Sequence, residues 1–113
     1  MDCIFCKIVK KEIPAEIIYE DDKVIAFKDI NPAAPIHILF IPKEHIDSVN
    51  FLDEVHIDLI GELFLKIKEV AKKLNIANKG YRIVNNCGEL GGQTVNHLHL
   101  HLLGERQMQW PPG

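Results

Sequence analysis

The segment HLHLHLL, residues 97–103, holds three of the chain's six histidines within five positions. Alternation with period two is the pattern of a β-strand. It predicts a strand over residues 95–103, with His97, His99 and His101 on one face and Leu98, Leu100 and Leu102 packed into a core on the other. A core has no use for three imidazoles in a row, so the polar face points to chemistry. A single metal does not explain all three. On a straight strand the Cα atoms of His97 and His101 stand about 13 Å apart, whereas nitrogens around one zinc lie within about 4 Å of each other. Imidazole serves equally as a nucleophile or an acid–base group near neutral pH. A central nucleophile flanked by two histidines suits the ladder better.

The residues that lead into this strand are NNCGELGGQT, 85–94. Gly88, Gly91 and Gly92 permit sharp turns and close backbone approach, and successive N–H groups in such a turn form an anion nest. Gln93 and Thr94 add side-chain donors. No Lys or Arg occurs in the loop. That favours one phosphate, held by neutral donors and imidazole, over a triphosphate.

Outward from there, AEIIYEDDKVIAF reads as two short strands, 16–20 and 24–29, joined at Glu20-Asp21-Asp22. IHILFIP, 36–42, is a third strand ended by Pro42, and YRIVNN, 81–86, a fourth. KEHIDSV, 43–49, reads as a short helical turn. Residues 53–74 form the one long helix: Val55, Leu59, Leu63, Ile67, Val70 and Leu74 recur at helical spacing, and Ile60, Phe64 and Ala71 widen the stripe. Asp53 or Asn50 can cap its start, Gly80 can close the turn after it, and His56 falls on its outer face. A stripe so wide exceeds what one small sheet needs and leaves area for a second subunit. One dominant helix with mostly antiparallel strands, about five in all, is an α+β arrangement. Residues 1–113 are read as one domain.

Hydrophobic content of 47% with 26% charged residues belongs to a globular protein rather than a disordered one. A net charge of −3 gives no electrostatic reason to bind nucleic acid or an anionic membrane. No apolar run approaches the roughly 18 residues of a membrane span. MDCIFCKIVKKE is too polar for a signal peptide, so a cytoplasmic location is expected. Three cysteines, Cys3, Cys6 and Cys87, cannot all pair within one chain. The CIFC pair has the spacing of a metal or redox motif, the alternative being two reduced thiols, and Cys87 reads as a lone thiol.

QTVNHLHLHLLGERQMQWPPG resembles the histidine triad (HIT) family, whose pattern His-φ-His-φ-His-φ-φ, with φ apolar, residues 97–103 match throughout. The resemblance extends over IFCKIVKKEIPAEIIYEDDKVIAFKDINPAAPIHILFIPKEHI and so over essentially the whole chain. The tail RQMQWPPG is similar to the purine-nucleoside phosphoramidase (Hint-like) branch and unlike the dinucleoside polyphosphate hydrolases. The resemblance implies a HIT-like fold that dimerises, with the tail and Trp110 near the partner's site. It implies a nucleotide-binding hydrolase that cleaves purine nucleoside 5′-phosphoramidates through a nucleotidyl-histidine intermediate. His99 matches the nucleophile, flanked by His97 and His101. Thr94 stands where serine is more usual and keeps the hydroxyl. Asn86, Gly92, Gln93 and Thr94 match the phosphate pocket. Ile4, Phe5, Ile8, Ile30 and Leu39 match the apolar nucleotide pocket, for which ordinary core is the alternative. Asp29 matches the ribose-binding carboxylate, with a turn residue as the alternative. His37 matches a supporting histidine near the triad. Some bacterial members pair a CxxC motif with two histidines in a zinc site, and the matching set is Cys3, Cys6, His45 and His97. Two other readings stand: a dinucleoside polyphosphate hydrolase or nucleotidyl transferase, and a non-catalytic nucleotide-binding regulator.

Overall fold

The computed structural model describes residues 2–113. Five strands form one sheet: β1 (Ile17–Glu20), β2 (Val24–Lys28), β3 (Ile36–Pro42), β4 (Tyr81–Val84) and β5 (Leu100–Gly104). Their order is β1-β2-β3-β5-β4, and every neighbouring pair is antiparallel. The long helix α2 spans Ile57–Lys73 and the short helix α1 spans Ile4–Val9. The α+β class is as the sequence predicts.

Central strand β3 explains how two helices share one sheet. Its residues from His37 to Pro42 are all buried, because side chains alternate between two covered faces. Ile38 and Phe40 join Val24, Ala26, Leu100 and Leu102 against Leu63, Ile67, Val70 and Ala71 of α2. Leu39 and Ile41 join Ile25 and Phe27 against Cys3, Phe5 and Ile8 around α1. Leu39 is paired with His101, which places His101 on the α1 face, as the alternation in the leucine–histidine segment requires.

Several expectations need correction. The histidine strand begins at Leu100 rather than residue 95. The backbone groups a ladder would use are taken elsewhere. The Leu98 N–H bonds to the Ile46 carbonyl at 2.6 Å, the His97 carbonyl lies 2.7 Å from the His99 ring, and the Asn85 side-chain amide donates to the His99 carbonyl. For the same reason β4 stops at Val84. Residues 43–48 form no helical turn; a 3-10 turn occupies Val49–Phe51, with Ser48 capping it. The short helix lies instead at Ile4–Val9, a stretch without helical periodicity long enough to read.

Asp53 does cap the helix entry, through the 3-10 turn Glu54–His56: its carboxylate accepts the Val55 N–H, and His56 Nδ1 accepts the Asp53 N–H. His56 is therefore a half-buried capping partner, not a solvent-facing side chain. Val55 sits in that turn, 82% exposed, and takes no part in the core. At the other end Asn75, φ 61°, reverses the chain. Ile76 N–H reaches the Ala71 carbonyl and Asn75 N–H the Lys72 carbonyl, the paired bonds of a Schellman ending. Gly80, φ 99°, makes the next turn, before β4.

Phe40, fully buried between β2, β5 and α2, is the test of this packing. Phe40→Ala is expected to cost about 3–5 kcal/mol in urea unfolding; a loss under about 1 kcal/mol would contradict the placement of the core.

Candidate active site and metal centre

The chemistry-bearing residues gather where α1, the exit of β3 and the entry to β5 meet. His99 is buried, and its Nδ1 lies 2.7 Å from the His97 carbonyl. A carbonyl oxygen only accepts, so Nδ1 carries the ring proton and Nε2 keeps its lone pair. The Phe5 ring stands edge-on, 5.1 Å from the His99 ring centre. The ring is thereby oriented, with Nε2 the nitrogen left outside that bond.

A second chain of ring contacts fixes His101. His37 Nδ1 accepts the Ala33 N–H at 2.9 Å, so the His37 proton sits on Nε2. That Nε2 lies 2.9 Å from His101 Nδ1 and 3.5 Å from an Asp29 carboxylate oxygen. His101 Nδ1 then accepts, and its Nε2 carries hydrogen. Among the described residues, His101 Nε2 is buried and has no hydrogen-bond partner. An orphaned donor of this kind costs stability unless something else satisfies it. Its ring centre is 5.0 Å from that of His99.

Both histidines border a cleft of about 300 Å³, whose wall also includes Ile4, Phe5, Ile8, Asp29, Ile30, Leu39 and Thr94. Ile30 is at the rim, 88% exposed. Asp29 is the turn residue of one of its two readings: one carboxylate oxygen accepts the Asn31 N–H, while the other approaches His37 beside the cleft. Asn86, Gly92 and Gln93 do not line this cleft. The Gln93 carboxamide is spent inside the loop, accepting the Gly88 N–H and donating to the Asp47 and Val95 carbonyls. Gln93 thus shapes the loop rather than offering donors to a ligand. Gly91 is packed so closely that a Cβ there would fall 2.4 Å from the Cys87 carbonyl oxygen. Sequence reasoning missed Ile13, Pro14, Ala15, Phe27 and Val95, which complete the apolar wall with the aliphatic part of Lys28. Phe27 was readable as the alternate partner of Ile25 on β2; residues 13–15 lie in an irregular segment and carried no periodic signal.

Behind His99 lies a separate cluster. His97, fully buried, places Nδ1 3.4 Å from Cys3 Sγ, 3.6 Å from Cys6 Sγ and 3.1 Å from His45 Nδ1. Cys6 Sγ is 3.3 Å from His45 Nδ1. The four donor atoms lie within 4.8 Å of one another. Tetrahedral zinc, with bonds of about 2.3 Å to sulfur and about 2.1 Å to nitrogen, separates its ligands by about 3.3–3.8 Å. The outer nitrogens give independent support. His97 Nε2 is 2.8 Å from the Pro42 carbonyl and His45 Nε2 is 2.6 Å from the Asp47 carboxylate. Both acceptors hold the ring proton on Nε2, so two Nδ1 lone pairs face each other at 3.1 Å. A metal cation between them makes that arrangement favourable. The residues fit a Cys₂His₂ zinc ion, and such a closed set leaves His99 outside it.

A family model described as scavenger mRNA decapping enzyme C-term binding matches residues 2–110. An uncharacterised HIT-like protein of Synechococcus elongatus is 51% identical over 112 residues, covering 99% of this chain and 97% of that protein. A 14 kDa zinc-binding protein of Brassica juncea is 51% identical over 114 residues, covering 99% and 100%. A crystal structure of a HIT family hydrolase from Legionella pneumophila superposes with a TM-score of 0.98 at 46% identity, covering 99% of this chain and all of that one. The chain belongs to the HIT family.

In this HIT protein the three histidines of the motif have different surroundings. His97 faces the metal cluster, His99 offers a lone pair to the cleft border, and His101 offers an N–H. His37, on β3, orients His101. Cys87 lies in the loop apart from the cluster, half-buried and unpaired with Cys3 or Cys6. Among the described residues no helix is long and apolar enough to cross a membrane.

Burial pushes the His101 pKa down to about 4, with His99 and then His37 adding to the shift. Burial likewise lowers His37, against the opposing pull of Asp29. The unfolded chain near 6.5 takes up a proton that folded His101 refuses, so this contribution to stability is full above about 6.5 and is lost as pH falls toward about 4. NMR titration of the His101 ring is expected to show a midpoint near 4; a midpoint at the ordinary histidine value would contradict the burial.

Proposed function

We propose that this protein is a hydrolase of purine nucleoside 5′-phosphoramidates that works through a nucleotidyl-histidine intermediate. The observation that carries the reading is the pair of complementary nitrogens beside one cleft: an unprotonated His99 Nε2 and an orphaned His101 Nε2–H, on rings 5.0 Å apart. His99 Nε2 bonds to the phosphorus as the phosphorus–amine bond breaks, and the amine leaves carrying a proton taken up from solvent water. Positive charge that develops on the ring is stabilised by the His97 carbonyl at Nδ1. His101 donates to a phosphate oxygen and satisfies its buried N–H. Thr94, on the cleft wall, supplies a hydroxyl to the phosphate or leaving group. Water then cleaves the phosphorus–nitrogen bond of the intermediate, the two-step logic of covalent catalysis. In this reading Asp29, at the cleft wall, accepts ribose hydroxyls, and Ile4, Phe5, Ile8 and Leu39 enclose the base.

Zinc, in this reading, is structural: Cys3, Cys6, His45 and His97 hold it and no open position remains for substrate. Thiolate ligands persist in a reducing compartment, which agrees with a cytoplasmic protein of one domain.

The decisive assay compares a fluorogenic adenosine phosphoramidate with diadenosine tetraphosphate on wild type and His99→Ala. Phosphoramidate turnover is expected to dominate and to fall by about three orders of magnitude or more in the variant, while AMP binding persists. Binding without turnover of either substrate in the wild type would leave a nucleotide-binding regulator instead.

A homodimer through the outer face of α2 completes the proposal. Ile57, Phe64 and Leu65 are 68%, 46% and 59% exposed there, an unusual load of large apolar side chains for a solvated helix. Gel filtration at micromolar concentration is expected at twice the 12.9 kDa chain mass; a monomer would count against it.

A further inference from the structure

The two cysteines do more chemically than a structural metal requires. Cys3 caps α1 and Cys6 lies in its first turn, with the Cys6 N–H donating to Cys3 Sγ at 3.3 Å. Their sulfurs belong to a cluster whose donor atoms are all within 4.8 Å. A disulfide needs Cα atoms about 4.4–6.8 Å apart, which residues three apart at the start of a helix provide. Cys6 is half-buried, and an open cavity of about 540 Å³ borders Cys3 and His45. A small oxidant therefore has access.

Helix α1 has only six residues. So short a helix is not stable alone; it is held by the packing of Phe5 and Ile8 and by the cysteine cluster at its start. It also forms part of the cleft wall through Ile4, Phe5 and Ile8, and Phe5 contacts both His97 and His99. The same His97 whose Nδ1 enters the cluster lends its carbonyl to His99 Nδ1. Whatever disturbs the cluster reaches both the cleft wall and the nucleophile's orientation.

We propose that Cys3 and Cys6 form a reversible thiol switch, in which oxidation to a disulfide discharges the metal and weakens nucleotide binding. The inference rests on the nucleotide-cleft reading given above. With hydrogen peroxide as oxidant, one thiolate sulfur attacks a peroxide oxygen and becomes a sulfenic acid, and hydroxide leaves. The second thiolate attacks that sulfur and expels a second hydroxide. Two sulfurs lose two electrons in all, the peroxide gains them, and two protons convert the hydroxides to two waters. Two imidazoles then remain, too few to hold zinc. Helix α1 loses its anchor.

The test uses the reduced, zinc-loaded full chain exposed to hydrogen peroxide. Zinc release is followed with a chromophoric chelator, the disulfide by peptide mass mapping, AMP affinity by calorimetry and α1 by limited proteolysis. The expected result is one zinc released per chain as the Cys3–Cys6 disulfide forms. AMP affinity is expected to weaken at least about tenfold, which at about 1.4 kcal/mol per factor of ten is within reach of losing one cleft wall. New cleavage should appear within residues 4–9, and dithiothreitol with zinc should reverse all of it. Zinc retained under peroxide that oxidises Cys87 overturns the proposal. So does a Cys3–Cys6 disulfide that leaves AMP affinity unchanged. A reduced, zinc-loaded protein that binds no AMP overturns the nucleotide reading and the coupling with it. That failure is distinct from an unreactive cysteine pair, because zinc release and proteolysis need no nucleotide.

Discussion

Two backbone carbonyls govern the chemistry of this site. The Pro42 carbonyl takes the Nε2 proton of His97, and the His97 carbonyl takes the Nδ1 proton of His99. Each carbonyl decides which nitrogen of its ring is left with a lone pair. In His97 that is the nitrogen facing the cysteines; in His99 it is the opposite nitrogen. Two imidazoles two residues apart are thereby oriented differently, one with Nδ1 toward the cysteines and one with Nδ1 turned back onto its own chain. Neither hydrogen bond involves a charged partner, and burial holds the His97 pKa below the ordinary histidine value.

Those carbonyls are available only because the chain leaves the sheet there. Were residues 97–99 laddered to β3, their carbonyls would face strand partners. Instead Ile46 and Asn85 hold the backbone of Leu98 and His99, and the regular strand resumes at Leu100. The rigid part of the molecule lies just beyond. β3 is covered on one side by α2 and on the other by α1, and His101 and His37 are attached to that rigid layer. Site precision thus comes from a buried sheet, while site chemistry comes from the irregular segment feeding it.

The α1 side is the thinner of the two covers. Its helix is short, and its attachment depends on a cluster of side chains from three separate segments. A wall built this way can respond to the state of its anchor. The α2 side cannot, since Leu63, Ile67, Val70 and Ala71 are packed into the main core.

Much of this was legible in the residues. Alternation in 97–103 placed the leucines in the core and the histidines on the opposite face, and helical periodicity marked α2 but set its start at 53 rather than Ile57, taking in the 3-10 turn Glu54–His56. The two hairpin strands around Asp21 were readable from turn chemistry, because that carboxylate caps its own turn. Other features were not. Gln93 looked like a donor to a ligand and proved to be committed to the loop. His56 looked solvent-facing and proved to be a cap. The end of the ladder before Leu100 left no mark in the pattern, since alternation continues through it. Local spacing determines periodicity, turns and caps, so the sequence by itself determined the class of the fold, the core face and the identity of the histidine motif. Which ring nitrogen is free, and which residues far apart in the chain meet in the cysteine–histidine cluster or the cleft, depends on carbonyls and side chains brought together by strand pairing across the chain. Only the tertiary structure decided those.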